Sequence, residues 1–267
     1  MKPLSAFPLE ACRAVRGVFT DIDDTLTTDG RLTAGAYTAM ERLRDAGIAV
    51  VPITGRPAGW CDHIARMWPV DGVVGENGAF YFCYDREARR MRRRYVDSDA
   101  VRAEKRIKLN ALAQEILQAV PGAAISADQP YREADLAIDF REDVPPLPDE
   151  SIERIVDLMT AAGATAKVSS IHVNGWFGTY DKLTMTRHFA ADCLGVDLAD
   201  AEQQYVFTGD SPNDGPMFDY FTHSIGVANV RDFEDRLTQP PAYVTNGAGG
   251  AGFEEVAARL LEAQRQL

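Results

Sequence analysis

The run Val18-Phe19-Thr20-Asp21-Ile22-Asp23-Asp24-Thr25-Leu26-Thr27 constrains the fold more than any other part of the chain, because an apolar stretch ends abruptly in carboxylates spaced two residues apart. A strand that is apolar on both faces belongs in a parallel sheet covered by helices. Ligands of open α/β sheets collect beyond the carboxyl ends of their strands, so Asp21 and Asp23 are expected at the edge of a cleft. In extended chain, residues two apart point the same way, and both acids could then face one reacting group or metal. A solvated turn, with Asp23-Asp24-Thr25 capping the next stretch of chain, is the competing reading of the same residues.

The alternation downstream supports the sheet. Residues 15–20 read as strand, 35–45 as helix and 48–53 as strand again, which is βαβ logic; Thr33 suits the start of that helix and Gly47 its end. A helix over 59–67 leads to a strand at 72–74, the tetrapeptide Glu76-Asn77-Gly78-Ala79, and two hairpin arms at 79–84 and 91–96. The middle changes character: a charged helix over 100–120, strands at 123–126 and 136–140, a Pro-rich turn at 145–148, a helix over 151–162 and strands at 165–169 and 171–173. Asn174-Gly175 is expected to turn the chain back. Then βα alternation resumes, with helices near 183–194 and 214–221, strands at 205–208 and 224–227, and a final helix over 253–264 after a glycine-rich loop at 246–252. The expected class is α/β, a doubly wound Rossmann-like parallel-sheet core formed by residues 1–96 and 175–267, with an α+β cap inserted at 97–174.

Composition narrows the function. Forty acidic residues against 28 basic ones give a net charge of −12, which opposes nonspecific binding to nucleic acid or anionic membranes. The first residues lack the apolar core of a signal peptide and no stretch has the length of a membrane span, so a cytoplasmic protein is expected. Cys12, Cys61, Cys83 and Cys193 have no paired spacing and read as reduced packing residues. The basic run Arg86, Arg89, Arg90, Arg92, Arg93 and Arg94 reads as a solvated hairpin surface, and Trp176-Phe177 as packing at the return from the cap. His63, His172, His188 and His223 are scattered and suggest no histidine metal site.

Three further points fit the first two acids. The 48–53 strand ends in Thr54-Gly55-Arg56, the 205–208 strand ends in Gly209-Asp210-Ser211-Pro212-Asn213-Asp214, and Lys182 opens a helix. Phosphoryl transfer needs a nucleophile, a cation to neutralise phosphate oxygens, hydrogen-bond donors and a fixed positive charge, and these residues supply the set. Each also has a structural reading, since Asp210, Asp214 and Thr54 could cap helices and Lys182 could be an exposed first-turn residue.

Taken together the residues resemble the haloacid dehalogenase superfamily, whose phosphatases carry an Asp-x-Asp-x-Thr start, a Thr or Ser after the second strand, a Lys and a Gly-Asp-x-x-x-Asp acid pair. The resemblance spans the chain, and the insertion is similar to the type IIB cap of sugar-phosphate phosphatases. It implies that Asp21 is a nucleophile forming an aspartyl-phosphate and Asp23 the acid and base. It also implies that Mg²⁺ is held by Asp21, the Asp23 carbonyl and Asp210, with Asp214 and Asn213 in support. Thr54, Gly55 and Asn77 would bind the phosphate, and Lys182 would offset charge on it. Leu183 departs from the pattern, in which Gly follows the Lys. The implied partner is a small phosphorylated metabolite. A phosphomutase of phosphomannomutase type, and a catalytically silent binding or regulatory protein, are the alternatives on the same fold.

Overall fold

The computed structural model describes residues 1–169 and 171–265. Its centre is a six-stranded parallel sheet in the order Lys2–Pro3, Tyr243–Val244, Ser224–Gly226, Tyr205–Gly209, Gly17–Thr20 and Ala49–Pro52. Each central strand is buried on both faces, and successive side chains divide between two hydrophobic layers. Val18 packs with Met40, Leu43, Phe253 and Leu260 from the helices Ala34–Asp45 and Gly249–Arg265. Phe19 and Phe207 pack instead with Met185, Phe189 and Met217 from the helices Lys182–Phe189 and Gly215–Tyr220. At about 1.5–3 kcal/mol for each fully buried large apolar side chain, this two-sided burial is what holds the strand ends in register. Phe19 pairs with Phe207 and Thr20 with Thr208, so Asp21 and Asp210 leave the sheet side by side.

Beyond Ala49–Pro52 a parallel bridge from Ile53 to Val74 brings in a three-stranded antiparallel sheet, Val73–Gly75, Phe80–Asp85 and Arg90–Tyr95. Phe80 and Phe82 lie in the same hydrophobic layer as Val18. The arginines of the hairpin are tied down at its surface: Arg93 to Asp62 at 2.7 Å and Arg94 to Asp192 at 2.6 Å.

Residues 99–176 form a second, four-stranded antiparallel sheet in the order Thr165–Val168, His172–Trp176, Leu136–Asp139 and Ala124–Ile125. Helices Asp99–Ala119 and Asp149–Ala161 cover one face through Leu109, Leu112, Ile116, Ile155, Leu158 and Met159, which meet Leu136, Ile138 and Val173. By strand alternation the other face carries Asp139, His172, Asn174 and Trp176, and it is turned toward the parallel sheet. Trp176 is buried and stacks on Tyr180 at 5.5 Å.

Three local expectations are corrected. Asn174-Gly175 is not a turn but the interior of the His172–Trp176 strand. Its glycine is needed because a Cβ there would lie 2.6 Å from Met159 Sδ, and Asn174 is held by donating to Asp135 Oδ2 at 3.0 Å. The glycine-rich stretch at 246–252 is only partly loop, since the last helix begins at Gly249. There the backbone passes so close to Leu26 and Thr27 that side chains would collide with their carbonyl oxygens, at 3.0 Å from Gly250 and 2.5 Å from Gly249. The helix expected near 183–194 is α-helical only to Phe189 and continues as a π-helical turn, Ala190–Leu194. The edge strand Lys2–Pro3, the helix Leu9–Ala14 and the small hairpin of Thr27–Thr28 with Arg31–Leu32 carry no strong periodicity and are seen only in the structure.

Candidate active site

Four buried side chains meet where the strands Gly17–Thr20 and Tyr205–Gly209 end. Asp21 follows the first strand directly, its N–H donating to Thr208 O at 2.8 Å. Lys182 stands at the first position of its helix, which Asp181 caps by accepting from Thr184 N at 2.7 Å. Leu183 in place of Gly therefore leaves the helix start intact. Lys182 Nζ reaches Asp21 Oδ1 at 2.7 Å and Asp214 Oδ1 at 2.8 Å, and all three residues are buried.

Asp214 Oδ2 accepts the N–H groups of Asp210 and Ser211 at 3.2 and 3.4 Å, folding the loop Asp210–Asp214 back upon itself. The Asp210 carboxylate is turned by Thr25, whose hydroxyl donates at 3.1 Å, and by Asn229, whose amide donates at 3.2 Å. Asn229 also accepts from Gly249 N at 3.0 Å, so the last helix is linked to the site. Thr25 is the hydroxyl of the opening sequence run. Asn229 has no such sequence signal.

Carboxylate oxygens of Asp21, Asp210 and Asp214 lie within 4.8 Å of one another. Burial, then Asp214 and Asp23, push Asp21 up to about 8 against the pull of Lys182. Asp210 is raised well above the ordinary carboxylate value, by burial first and then by Asp21 and Asp214. On Lys182 burial acts to lower the pKa, but Asp21 and Asp214 outweigh it and raise the value above that of an ordinary lysine. With all three acids ionised, one ammonium among them leaves negative charge in excess. An all-oxygen acidic set of this kind suits a hard divalent cation such as Mg²⁺.

A cavity of about 30 Å³ lies against these acids, walled on the core side by Asp21, Asp23, Gly55, Asn77, Asp210 and Asn213. Asn77 adopts a left-handed backbone, φ 56°. Its amide nitrogen is buried without a partner, a donor suited to an anionic oxygen. Gly78, at φ +104°, leaves room for Asp181 O, which would lie 2.0 Å from a Cβ; this close approach seats the 76–78 turn on the start of the Lys182 helix. Thr54 is fully buried, its hydroxyl accepting the Arg56 N–H at 3.0 Å, and like Lys182 and Asp214 it stands behind the residues that line the cavity. Asn213 is held by the Ser211 hydroxyl at 2.9 Å.

The second sheet closes the cavity with Arg132, His172 and Asn174, none of which was picked out in the sequence. Its attachment is specific. Glu76, fully buried, accepts from Ala58 N, Glu133 N, Ala134 N and Asp135 N at 2.5–3.1 Å. Burial and the neighbouring Asp135 push Glu76 up to about 7, with Arg132 and these N–H groups opposing. Arg132 pairs with Asp128 at 2.8 Å and Asp135 at 3.0 Å, and donates to Gly55 O at 2.9 Å.

Asp23 lines the same cavity but faces Arg56, which also touches the second sheet. Arg56 Nη2 and Nε lie 2.9 and 3.1 Å from Asp23 Oδ1, while Nη1 and Nη2 both donate to Glu142 Oε1 at 3.1 Å. A larger groove of about 960 Å³ adjoins the cavity, sharing Ser169, Ile171, Asp210 and Ser211 with it.

Residues 18–119 match the sequence profile of the haloacid dehalogenase-like hydrolases. A phosphoglycolate phosphatase from Methanospirillum hungatei is 26% identical over 248 residues, covering 91% of this chain and 95% of that protein. Among solved structures, the C-terminal domain of a C. albicans trehalose-6-phosphate phosphatase superposes with a TM-score of 0.69 at 13% identity over the whole of both chains. A sucrose-phosphatase from Synechocystis, solved with sucrose and phosphate, gives 0.64 at 14% identity over 93% of this chain and 98% of that one.

Proposed function

Given that the chain is a haloacid dehalogenase-like hydrolase, we propose that it is a phosphatase acting on a small phosphorylated metabolite, a sugar phosphate, through an aspartyl-phosphate. The observation that carries this reading is the buried contact of Lys182 Nζ with Asp21 at 2.7 Å and Asp214 at 2.8 Å, with Asp210 beside them. An ammonium in that position holds Asp21 ready to attack and opposes the charge of the incoming phosphoryl group.

In the first step an Asp21 oxygen forms a bond to phosphorus while the bond to the leaving oxygen breaks, and Asp23 gives that oxygen its proton. In the second step Asp23 takes a proton from a water that attacks the same phosphorus, returning Asp21 as carboxylate and releasing inorganic phosphate. The Asn77 amide and the backbone around Gly55 bind the non-bridging oxygens. Asp21, Asp210 and the Asp23 carbonyl would hold Mg²⁺, with Asp214 and Asn213 in support, and the ion would neutralise phosphate oxygens. Two of these carboxylates are raised by burial first and then by neighbouring acids, which fits a site built for a cation.

We take residues 97–174 as the cap that meets the leaving group, and the 960 Å³ groove as the space that admits it. The sugar-phosphate assignment is supported by the sucrose-phosphatase and trehalose-6-phosphate phosphatase among the structural relatives, and the phosphoglycolate phosphatase keeps smaller esters in the same range. A panel of phosphorylated metabolites assayed for phosphate release with Mg²⁺ tests the reading. Turnover should occur and be abolished by Asp21→Asn; no release from any ester, or turnover undiminished in that variant, overturns it.

A further inference from the structure

We propose that Arg56 is a positioning residue that sets the Asp23 carboxylate for proton transfer and answers to the cap through Glu142. This rests on the phosphatase reading above.

Arg56 follows the Ala49–Pro52 strand, is buried, and stacks over Trp60 at 4.5 Å. Its guanidinium is a rigid fork whose geometry matches a carboxylate. The grip on Asp23 is lopsided: Oδ1 takes Nη2 at 2.9 Å and Nε at 3.1 Å, whereas Oδ2 takes only Nε at 3.1 Å. A carboxylate oxygen has two lone-pair sites, so Oδ2 keeps one for a proton while the group stays anchored. Asp23 needs such an anchor, because its side chain remains a quarter exposed while Asp21 and Asp214 are buried.

The opposite edge of the fork belongs to the cap. Glu142 Oε1 accepts from Nη1 and Nη2, and Asp128 Oδ2 lies 3.7 Å from Nη1. Glu142 is itself fixed. Asp139 accepts from the N–H groups of Arg141, Glu142 and Asp143 at 2.8–2.9 Å, and His172 Nε2 stands 2.8 Å from Glu142 Oε2. One side chain therefore joins the residue that must meet the leaving oxygen to the cap that must recognise the leaving group. Seating of the cap and placement of Asp23 become a single event.

The test compares an alkyl phosphate, whose leaving oxygen needs a proton, with 4-nitrophenyl phosphate, whose leaving group hardly does. General acid catalysis is worth roughly 10²–10⁴-fold, so mispositioning Asp23 by Arg56→Gln should lower kcat/KM on the alkyl ester by about tenfold to a hundredfold. On the aryl ester the loss of kcat/KM should stay within about threefold; kcat itself also contains the later water step, which Asp23 serves for both esters alike. Arg56→Lys, which keeps the charge and loses the fork, and Glu142→Gln, which frees the cap edge, should show the same split at smaller size. They also serve if Arg56→Gln does not fold.

The decisive arm is the double variant. If Arg56 acts through Asp23, adding Arg56→Gln to Asp23→Asn should produce no further loss on the alkyl ester. Additive losses, or equal losses of kcat/KM on both esters, would overturn the positioning role while leaving the phosphatase reading in place. A wild-type chain that releases phosphate from neither ester would refute that reading itself, and the role of Arg56 with it.

Discussion

Removing divalent cations should make this protein more stable in mild acid than at pH 8, and Asp21 should be one of the causes. Its carboxyl is held at about 8 in the folded chain against about 3.9 in an unfolded one. A carboxyl raised on folding binds its proton more tightly in the native state. The stability it contributes is therefore complete below the unfolded pKa and is lost as pH rises through the folded one. At pH 5 about 4 kcal/mol of this contribution is present and at pH 8 less than about 1 kcal/mol, so the change across the window is about 3–4 kcal/mol.

Asp210 and Glu76 are raised as well and add in the same direction. Glu142, held at about 2 mainly by its contact with His172, works the other way, but only as pH falls below the ordinary glutamate range. Urea unfolding in excess chelator at pH 5, 6, 7 and 8 measures the slope, and Asp21→Asn isolates the residue, since its amide has no proton to lose. The difference between wild type and variant should vary by about 3 kcal/mol over the window. Excess Mg²⁺ should flatten or reverse the wild-type slope, because ion and proton compete for the same oxygens. Parallel wild-type and Asp21→Asn curves, or a metal-free stability that climbs from pH 5 to pH 8, would refute the reasoning.

Other consequences are simpler to measure. Glu76→Ala leaves four N–H groups without an acceptor, three of them buried, so at about 1–3 kcal/mol for each buried partner lost it should cost at least about 3 kcal/mol and open the 128–135 segment to limited proteolysis. Trp176→Ala removes a buried ring stacked on Tyr180 and should cost about 3–5 kcal/mol by chemical denaturation. Gly175→Ala places a methyl against Met159; a loss of about 1–3 kcal/mol is expected, with phosphatase activity falling less than for a substitution at Asn174. Exhaustive chelation should abolish phosphate release, and readdition of Mg²⁺ should restore it.

Residues placed by local rules were legible in the chain. The apolar run ending at Thr20 is a buried strand, Thr33 caps the next helix through Ala36 N, and the α/β class follows from the alternation. Side-chain partnerships formed across long separations were not. The opening acids illustrate this: spacing by two predicts that Asp21 and Asp23 face one group, and both line one cavity, but no spacing tells that Lys182 holds the first and Arg56 the second. Asn229, Glu76 and His172 were equally hidden, because each matters through a partner or cavity wall that no sequence spacing encodes. Asn174-Gly175 misled for a local reason. The pair usually signals a turn, but here the glycine admits a neighbouring methionine and the asparagine an aspartate.

The path of the chain out of the second sheet limits how this protein could be recombined. His172 and Asn174 wall the cavity from the cap side, and the same uninterrupted stretch passes through the stacked pair Trp176 and Tyr180 to reach Lys182, beside Asp21. A foreign cap in place of residues 97–174 would remove Asn174 together with its partner Asp135 and supply no substitute for the backbone that Glu76 grips. An added or lost residue between Trp176 and Asp181 would displace the ammonium as well as the cap. Exchange of caps in this lineage is therefore expected to carry the 128–135 loop, the His172–Trp176 strand and the linker to Lys182 as one inherited block, with the length of that linker among the least tolerant features of the chain.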